Sequence, residues 1–174
     1  MSDLIIRTAL ASDGDQILSL YPAAFPDEDL LPIVRALSAE RRGVLSLVAV
    51  QGVRLVGQVF FTDCGIDGST HVPILLGPLA VDPAFQRSGV GSQLVKTGLS
   101  MLKASGSVEV LVLGDPDYYG RFGFRPNAIV EPPYRIPDAW RPAWQYLPLD
   151  GRAEGLAGML TVPAPWQDPA LWAG

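Results

Sequence analysis

The stretch Leu76-Gly-Pro-Leu-Ala-Val-Asp-Pro-Ala-Phe-Gln-Arg-Ser-Gly-Val-Gly-Ser-Gln-Leu-Val95 joins an apolar strand, a glycine-bearing loop and an amphipathic helix. On the helix side, glycine and apolar residues recur every three or four positions from Gly91 to Leu102. On the strand side, residues 72–81 form a short apolar run that is typical of a strand buried on both faces, and Asp82-Pro83 ends it. We therefore predict a strand, a loop and a helix that packs on a sheet.

The core of the loop, Gln86-Arg-Ser-Gly-Val-Gly91, has the features of an anion-binding turn. Its two glycines allow backbone N–H groups to turn inward, and the following helix directs its free N–H groups and positive dipole end to the same place. A Walker A loop would end in Gly-Lys-Ser/Thr, and a Rossmann loop would carry a third glycine where Leu94 stands, so neither type fits. The sequence predicts a phosphate cradle built mainly from backbone.

Gly77-Pro78 interrupts the predicted strand. Proline cannot donate to a sheet ladder, and glycine within a strand often marks a bulge or the close approach of another backbone. Two interpretations are open: a local break in strand pairing, or a strand at the edge of the sheet. In the first case the freed backbone groups could hydrogen-bond an amide-containing ligand that lies along the strand.

Composition limits the class of protein. A chain of 174 residues, 48% hydrophobic and 18% charged, is expected to form one globular domain over residues 1–174. A net charge of -5 without a basic patch argues against binding of nucleic acid. Cys64 is the only cysteine, so we expect a small core residue and a reducing compartment. With no signal peptide or membrane-spanning run visible, we expect a cytoplasmic protein that does not bind membranes.

Periodicity and turn signals divide the chain into a core, residues 4–124, and a proline- and tryptophan-rich tail, residues 125–174. The tail holds nine of the 16 prolines and all four tryptophans. We expect the tryptophans to serve core and edge packing rather than to form a ligand cage. The predicted strands are residues 4–7, 44–50, 55–61, 72–81 and 108–113, with strand-like runs at 145–149 and 156–162. Helices are predicted from Ser12 to Phe25, from Leu30 to Glu40, after the loop, and briefly after Gly114.

Two motifs resemble those of the GNAT N-acetyltransferase superfamily. Gln86 to Gly91 resembles its Gln/Arg-x-x-Gly-x-Gly/Ala acetyl-CoA loop, and Tyr119-Gly-Arg-Phe-Gly-Phe124 resembles its Tyr-x-x-x-Gly-Phe signature. The flanking residues 76–81 and 113–119 are similar to a bacterial subfamily of predicted N-acetyltransferases. The resemblance implies an α/β fold, α+β in layer terms: a mixed, mostly antiparallel sheet flanked by helices, with a splayed central strand pair that holds acetyl-CoA.

The resemblance also implies roles for particular residues. The backbone of the loop would hold the CoA pyrophosphate, and the pantetheine arm would pair with backbone between the strand that ends at Val81 and the strand that ends at Leu113. Tyr119 matches the family's tyrosine, which protonates the departing CoA sulfur, while Tyr118 is a competing candidate. The cofactor-binding set is Leu79, Ala80, Val81, Gln86, Arg87, Ser88, Gly89, Val90, Gly91 and Ser92.

The sequence departs from the family where a glutamate base is often found, because residues 74–81 contain no acidic residue. Water, Asp63, Asp67, His71 or Asp115 remain open as the base, and Asp115 is equally suited to cap a helix. Two functions therefore stay open. One is an N-acetyltransferase in which a primary amine of a small molecule or peptide attacks the thioester directly, with Tyr119 as general acid; the other is a non-catalytic acyl-CoA-binding module.

Neither reading calls for a metal, and acetyl-CoA is the only cosubstrate that the resemblance implies. The sequence offers no motif for the acceptor amine or for the length of the acyl chain. It also leaves the oligomeric state open, a homodimer included.

Overall fold

The structure, a computed structural model, describes residues 2–173. The strands are β1 (Leu4–Thr8), β2 (Val44–Gln51), β3 (Arg54–Asp63), β4 (Gly65–Ile66), β5 (Ile74–Val81), β6 (Glu109–Leu113), β7 (Trp144–Pro148) and β8 (Leu160–Thr161). The α-helices are α1 (Gly14–Ala24), α2 (Leu31–Ala39), α3 (Val90–Ala104), α4 (Pro116–Tyr119) and α5 (Ala170–Ala173). Residues 2–61 and 77–101 form one compact unit, and residues 62–76 and 102–173 form a second. The single domain expected from the sequence stays a prediction.

The first unit is built on a sheet whose strands follow the order β1, β2, β3 and β5. β1 pairs antiparallel with β2, from Leu4↔Gln51 to Thr8↔Leu47. Two helices cover opposite faces of this sheet, since β3 alternates its side chains. A β-carbon on Gly57 would lie 2.9 Å from Val90 and Leu94 of α3, while the next residue, Gln58, contacts α1. The close packing of α3 on β3 fixes the position of the loop that precedes α3.

The second unit contains the N-terminal end of β5, which pairs in parallel with β6 from Ile74↔Val110 to Leu76↔Val112. β6 in turn pairs antiparallel with β7. β5 therefore lies between β3 and β6, and the interpretation of β5 as an edge strand is wrong. The apolar run predicted this interior position better than the proline did, because a strand buried on both faces needs such a run.

Two buried tryptophans form the packing centre of the C-terminal tail. Trp144 and Trp172 are fully buried with their ring centroids 5.7 Å apart, edge to face. Their indole N–H groups donate to the carbonyls of Val130, at 2.7 Å, and of Trp166, at 3.1 Å. A buried indole keeps its hydrogen bond in this way while its ring supplies apolar contact. The prediction that these tryptophans pack in the core is confirmed.

The predicted strand-like run at residues 156–162 is mostly wrong. Only Leu160–Thr161 forms a strand, β8, which pairs with β4. The residues before it are held by single hydrogen bonds: Leu156 N–H donates to the Glu109 side chain at 3.0 Å, and Glu131 N–H donates to the Gly158 carbonyl at 2.8 Å. Isolated bonds of this kind replace the ladder that the apolar spacing predicted.

Among the helices of residues 2–173, none combines the length and the apolar character needed to cross a membrane. Cys64 is buried and unpaired, and burial raises the pKa of its thiol to about 12. The thiol is thus protonated and unreactive at neutral pH, as expected for a small core residue.

Candidate active site

The loop between β5 and α3 has the backbone geometry of an anion cradle. φ is +61° at Arg87 and +90° at Gly89, and α3 begins at Val90. Alternation between left-handed and right-handed residues turns successive N–H groups toward one side, the arrangement that binds anions in backbone nests. The Gln93 N–H group donates to the Gly89 carbonyl at 3.0 Å. The N–H groups of Val90 and Gly91 precede this bond, so they are among the donors that a helix leaves unpaired at its start.

Side chains of the loop brace the loop itself. The Gln86 amide donates to the Val81 carbonyl at 3.0 Å, and the Ser88 hydroxyl donates to the Phe85 carbonyl. Asp82 accepts from the Ala84 N–H group at 2.9 Å, which caps the turn that follows β5. Because these side chains are engaged with backbone, the loop can offer its N–H groups to a ligand. The exposed Arg87 adds a positive charge at the same place.

An ion pair fixes the end of β5. Arg54 contacts Asp82 at 2.6 Å, and its guanidinium carbon lies 5.2 Å from the centroid of the Phe85 ring. The Asp82 N–H group donates to the Val56 carbonyl at 2.8 Å, so the strand and the turn share one anchor on β3. The three expected strand residues precede this anchor: Ala80 is buried, and Leu79 and Val81 are half-buried.

A buried polar chain crosses the first unit beside the Gly77-Pro78 interruption. Tyr21, on α1, hydrogen-bonds the Gln58 side-chain oxygen through its hydroxyl, and the same hydroxyl lies 3.3 Å from the Pro78 carbonyl oxygen. The Gln58 amide nitrogen donates to the Ser46 hydroxyl at 3.0 Å. The sequence alone did not predict this hydrogen-bonded network. Its signal is Gln58 itself, a polar residue within the apolar run of β3.

Tyr119 ends the short helix α4 in the second unit and is 9% exposed. Its ring meets Tyr118 and Phe124 edge to face, with centroids 4.9 Å and 5.7 Å away. Burial raises the pKa of Tyr119 above the ordinary phenol value. Within residues 2–173 its hydroxyl has no hydrogen-bond partner, although it is not closed off from solvent. It is therefore a protonated donor that can still take a partner.

Tyr118, the competing candidate, is half-buried and differently placed. The guanidinium carbon of Arg121 lies 4.6 Å from the centroid of its ring, a cation–π contact. The Asp115 carboxylate accepts from the Asp117 N–H group at 2.9 Å and caps α4. Of the two roles open for Asp115, the structure shows the helix cap.

The other acidic and histidine candidates lie apart from Tyr119 in the chain. Asp63 and His71 line a pocket of about 560 Å³ in the second unit, where the His71 ring contacts the Ser69 hydroxyl at 3.0 Å. Asp67 is exposed. Over the residues that the structure describes, no group of three or more His, Cys, Asp or Glu side chains could hold a metal ion.

The fold and the site define an acyltransferase of one known family. A model of the acetyltransferase (GNAT) domain matches residues 42–126. YjhQ of Escherichia coli K12, described as an uncharacterized N-acetyltransferase, is 33% identical over 167 residues, which are 92% of this chain and 92% of YjhQ. The chain belongs to the GNAT family of N-acetyltransferases, as its two motifs predicted.

Solved structures agree with this assignment. The GNAT-family N-acetyltransferase YhbS from Escherichia coli, in complex with CoA, superposes with a TM-score of 0.85 at 28% identity, covering 97% of this chain and 94% of that one. A GNAT-family acetyltransferase from Brucella melitensis, in complex with acetyl-CoA, gives a TM-score of 0.78 at 28% identity over 95% and 99% of the two chains. The predicted mixed, mostly antiparallel fold flanked by helices is confirmed.

Proposed function

We propose that this chain transfers an acetyl group from acetyl-CoA to a primary amine of a small molecule or a peptide in the cytoplasm. The observation that carries the proposal is the loop before α3, where left-handed backbone at Gly89 leads into the N–H groups at the start of the helix. A helix start of this kind suits a pyrophosphate. Two relatives of similar fold were solved with CoA or acetyl-CoA.

Backbone groups of two segments hold acetyl-CoA, the acetyl donor. The N–H groups of residues 86–91, with help from Ser92, bind the pyrophosphate, and the backbone of Leu79, Ala80 and Val81 pairs with the amides of the pantetheine arm. The bracing of Val81 by Gln86 and of Asp82 by Arg54 supports this assignment, because it joins the two binding segments through short hydrogen bonds.

Tyr119 acts as the general acid. The neutral amine attacks the thioester carbonyl and the new C–N bond forms. The nitrogen then loses one proton to water, and the C–S bond breaks with its electron pair on sulfur. The thiolate takes the proton of the Tyr119 hydroxyl, and the phenolate regains a proton from solvent. A buried phenol with a raised pKa holds its proton at neutral pH, so it is present as a donor to sulfur while negative charge develops there during C–S cleavage.

The alternative is an acyl-CoA-binding module without catalysis. Its support is the absence of an acidic side chain from β5, where the family often carries its base. A module of this kind would keep the loop and the strand and would have no use for the unpartnered hydroxyl of Tyr119.

Thiol release separates the two functions. We expect acetyl-CoA to raise the Tm of the protein, because a ligand that binds only the folded state stabilises it. We also expect free CoA thiol to appear when members of an amine panel are added. Stabilisation without turnover on any amine would favour the binding module, and absence of both would contradict the proposed function.

A further inference from the structure

Tyr21 lies outside both motifs, yet its hydroxyl reaches the strand that the proposed function assigns to the pantetheine arm. The hydroxyl oxygen is 3.3 Å from the carbonyl oxygen of Pro78, and the tyrosine is 1% exposed. Its ring stacks on Phe25, the residue that follows α1, with centroids 6.2 Å apart, and this packing holds the tyrosine in place. The Pro78 carbonyl thus lies within hydrogen-bond distance of a buried side chain on α1.

The Pro78 carbonyl and the Leu79 N–H group belong to one peptide unit. The Pro78–Leu79 peptide bond is trans, since the Gly77–Pro78 bond is the only cis bond among residues 2–173. In a planar trans peptide the C=O and N–H bonds point in opposite directions. Fixing the carbonyl on Tyr21 therefore fixes the direction of the Leu79 N–H group, which points away from Tyr21.

The contact between Tyr21 and Pro78 competes with a second hydrogen bond of the same hydroxyl. The phenol has one proton, and two acceptors face it, the Gln58 side-chain oxygen and the Pro78 carbonyl. Gln58 is fully buried and is itself held by Ser46 at 3.0 Å. The Pro78 carbonyl thus shares one donor with a buried amide that is itself held in place.

We propose that Tyr21 is a positioning residue: by holding the Pro78 carbonyl, it aims the Leu79 N–H group at the carbonyl groups of the acyl-pantetheine arm. This inference rests on the proposed function. Tyr21 does not touch the reacting atoms and acts through the peptide that it orients. The consequence is an effect on the acyl-pantetheine part of the donor and not on its nucleotide part.

The test is Tyr21→Phe, which removes the hydroxyl and keeps the ring. Two ligands are titrated: acetyl-CoA, and 3′-phosphoadenosine 5′-diphosphate, which carries the pyrophosphate but lacks the pantetheine arm. We expect the Kd of acetyl-CoA to rise about five- to tenfold, the range for loss of one hydrogen bond, and the Kd of the fragment to stay within twofold. A merely structural role would change both constants together or neither.

Two further variants sharpen the result. Gln58→Met removes the competing acceptor and leaves the phenol proton to Pro78, so its effect on acetyl-CoA should be smaller than that of Tyr21→Phe. Tyr134→Phe is the matched control, because Tyr134 is half-buried, lies in the second unit, and has no hydroxyl hydrogen bond within residues 2–173. Thermal unfolding of each variant reports any loss of folded protein.

The inference is overturned if Tyr21→Phe binds acetyl-CoA as tightly as the wild type, if both ligands weaken equally, or if Gln58→Met has the larger effect. Failure of the proposed function gives a different result. If the donor site is wrong, the wild-type protein itself does not bind acetyl-CoA; if the protein is a binding module, it binds acetyl-CoA without releasing thiol on any amine.

Discussion

The ring of Tyr119 lies directly against Gly114: a β-carbon on Gly114 would stand 2.5 Å from Cε2 and 3.0 Å from Cδ2 of the tyrosine. Gly114 cannot easily move away. Its N–H group donates to the Ala143 carbonyl at 3.0 Å, and its carbonyl accepts from the Gln145 side chain at 3.0 Å. The glycine therefore sets where the tyrosine ring can be, which matters because general acid catalysis depends on placement within hydrogen-bond reach.

The first prediction concerns this contact. Gly114→Ala must displace the Tyr119 ring, so we expect kcat to fall about tenfold or more, in line with the cost of misplacing a catalytic group by about 1 Å. The Kd of acetyl-CoA should change little. Steady-state kinetics and titration measure the two quantities. The control is Gly120→Ala, where φ is -56° and nothing lies within 4 Å of the new carbon. Equal losses in both variants would contradict the explanation.

The second prediction concerns pH. Burial raises the pKa of Tyr119 above its ordinary value of 10.0, and the acid form is the one required. Raising the pH removes this form only above that ordinary value, so kcat should show no descending limb from the phenol below pH 10. A descending limb near pH 8 in the wild type that is missing from the residual activity of Tyr119→Phe would show that the phenol ionises early.

The third prediction tests the loop. A side chain at Gly89 would meet no atom within 4 Å, but φ is +90° there, so Gly89→Ala strains the backbone without a clash. Left-handed strain of about 1–2 kcal/mol should reshape the cradle and raise the Kd of acetyl-CoA roughly tenfold. The matched control is Gly14→Ala, at the start of α1, where φ is -53° and space is equally free. If Gly89→Ala binds acetyl-CoA normally, the loop is not the pyrophosphate site.

The fourth prediction concerns Glu109, whose side chain is fully buried in the second unit. Oε1 accepts from the Leu156 N–H group at 3.0 Å and lies 3.6 Å from Arg152, while Oε2 has no hydrogen-bond partner within residues 2–173. Burial raises the pKa of Glu109, against partial compensation from Leu156 and Arg152. Asp150 also opposes ionisation of Glu109, and His71 favours it.

Because the folded state holds this proton more tightly, wild-type stability should fall as pH rises from the ordinary pKa of 4.5 through the raised value. Glu109→Gln keeps an oxygen for Leu156 and removes the charge. We expect its Tm relative to the wild type to be higher at pH 7.5 than at pH 4.5. The control is Glu154→Gln, because Glu154 is exposed and lies on the segment that contacts Glu109 through Leu156. A difference in Tm that does not change with pH would contradict a raised pKa.

The elements around the loop could be predicted from the sequence because their signals are local. The helical spacing after Gly91 and the stop at Asp82-Pro83 match α3 and the end of β5 at Val81. The cradle could be predicted for the same reason, since glycine and a helix start are adjacent in the chain. Its φ values were not predicted, and Arg87 in the left-handed region has no sequence signal.

The rest depends on residues that are far apart in the chain. Tyr21 and Pro78 are separated by 57 positions, and nothing in either local pattern indicates their contact. The burial of Glu109 is similar, because the segment that covers it was predicted as a strand over residues 156–162 and is instead held by the carboxylate itself. Tertiary contacts decided both cases against local propensity.

The most direct test of the account compares Tyr119→Phe with Tyr118→Phe. The initial rate of CoA release from acetyl-CoA is measured with an amine that the wild type acetylates, and the Kd of acetyl-CoA is measured alongside. We predict that Tyr119→Phe lowers kcat about 100-fold or more, as expected for loss of a general acid, with little change in Kd, and that Tyr118→Phe keeps most of the activity. Full turnover by Tyr119→Phe together with loss of activity in Tyr118→Phe would contradict the account.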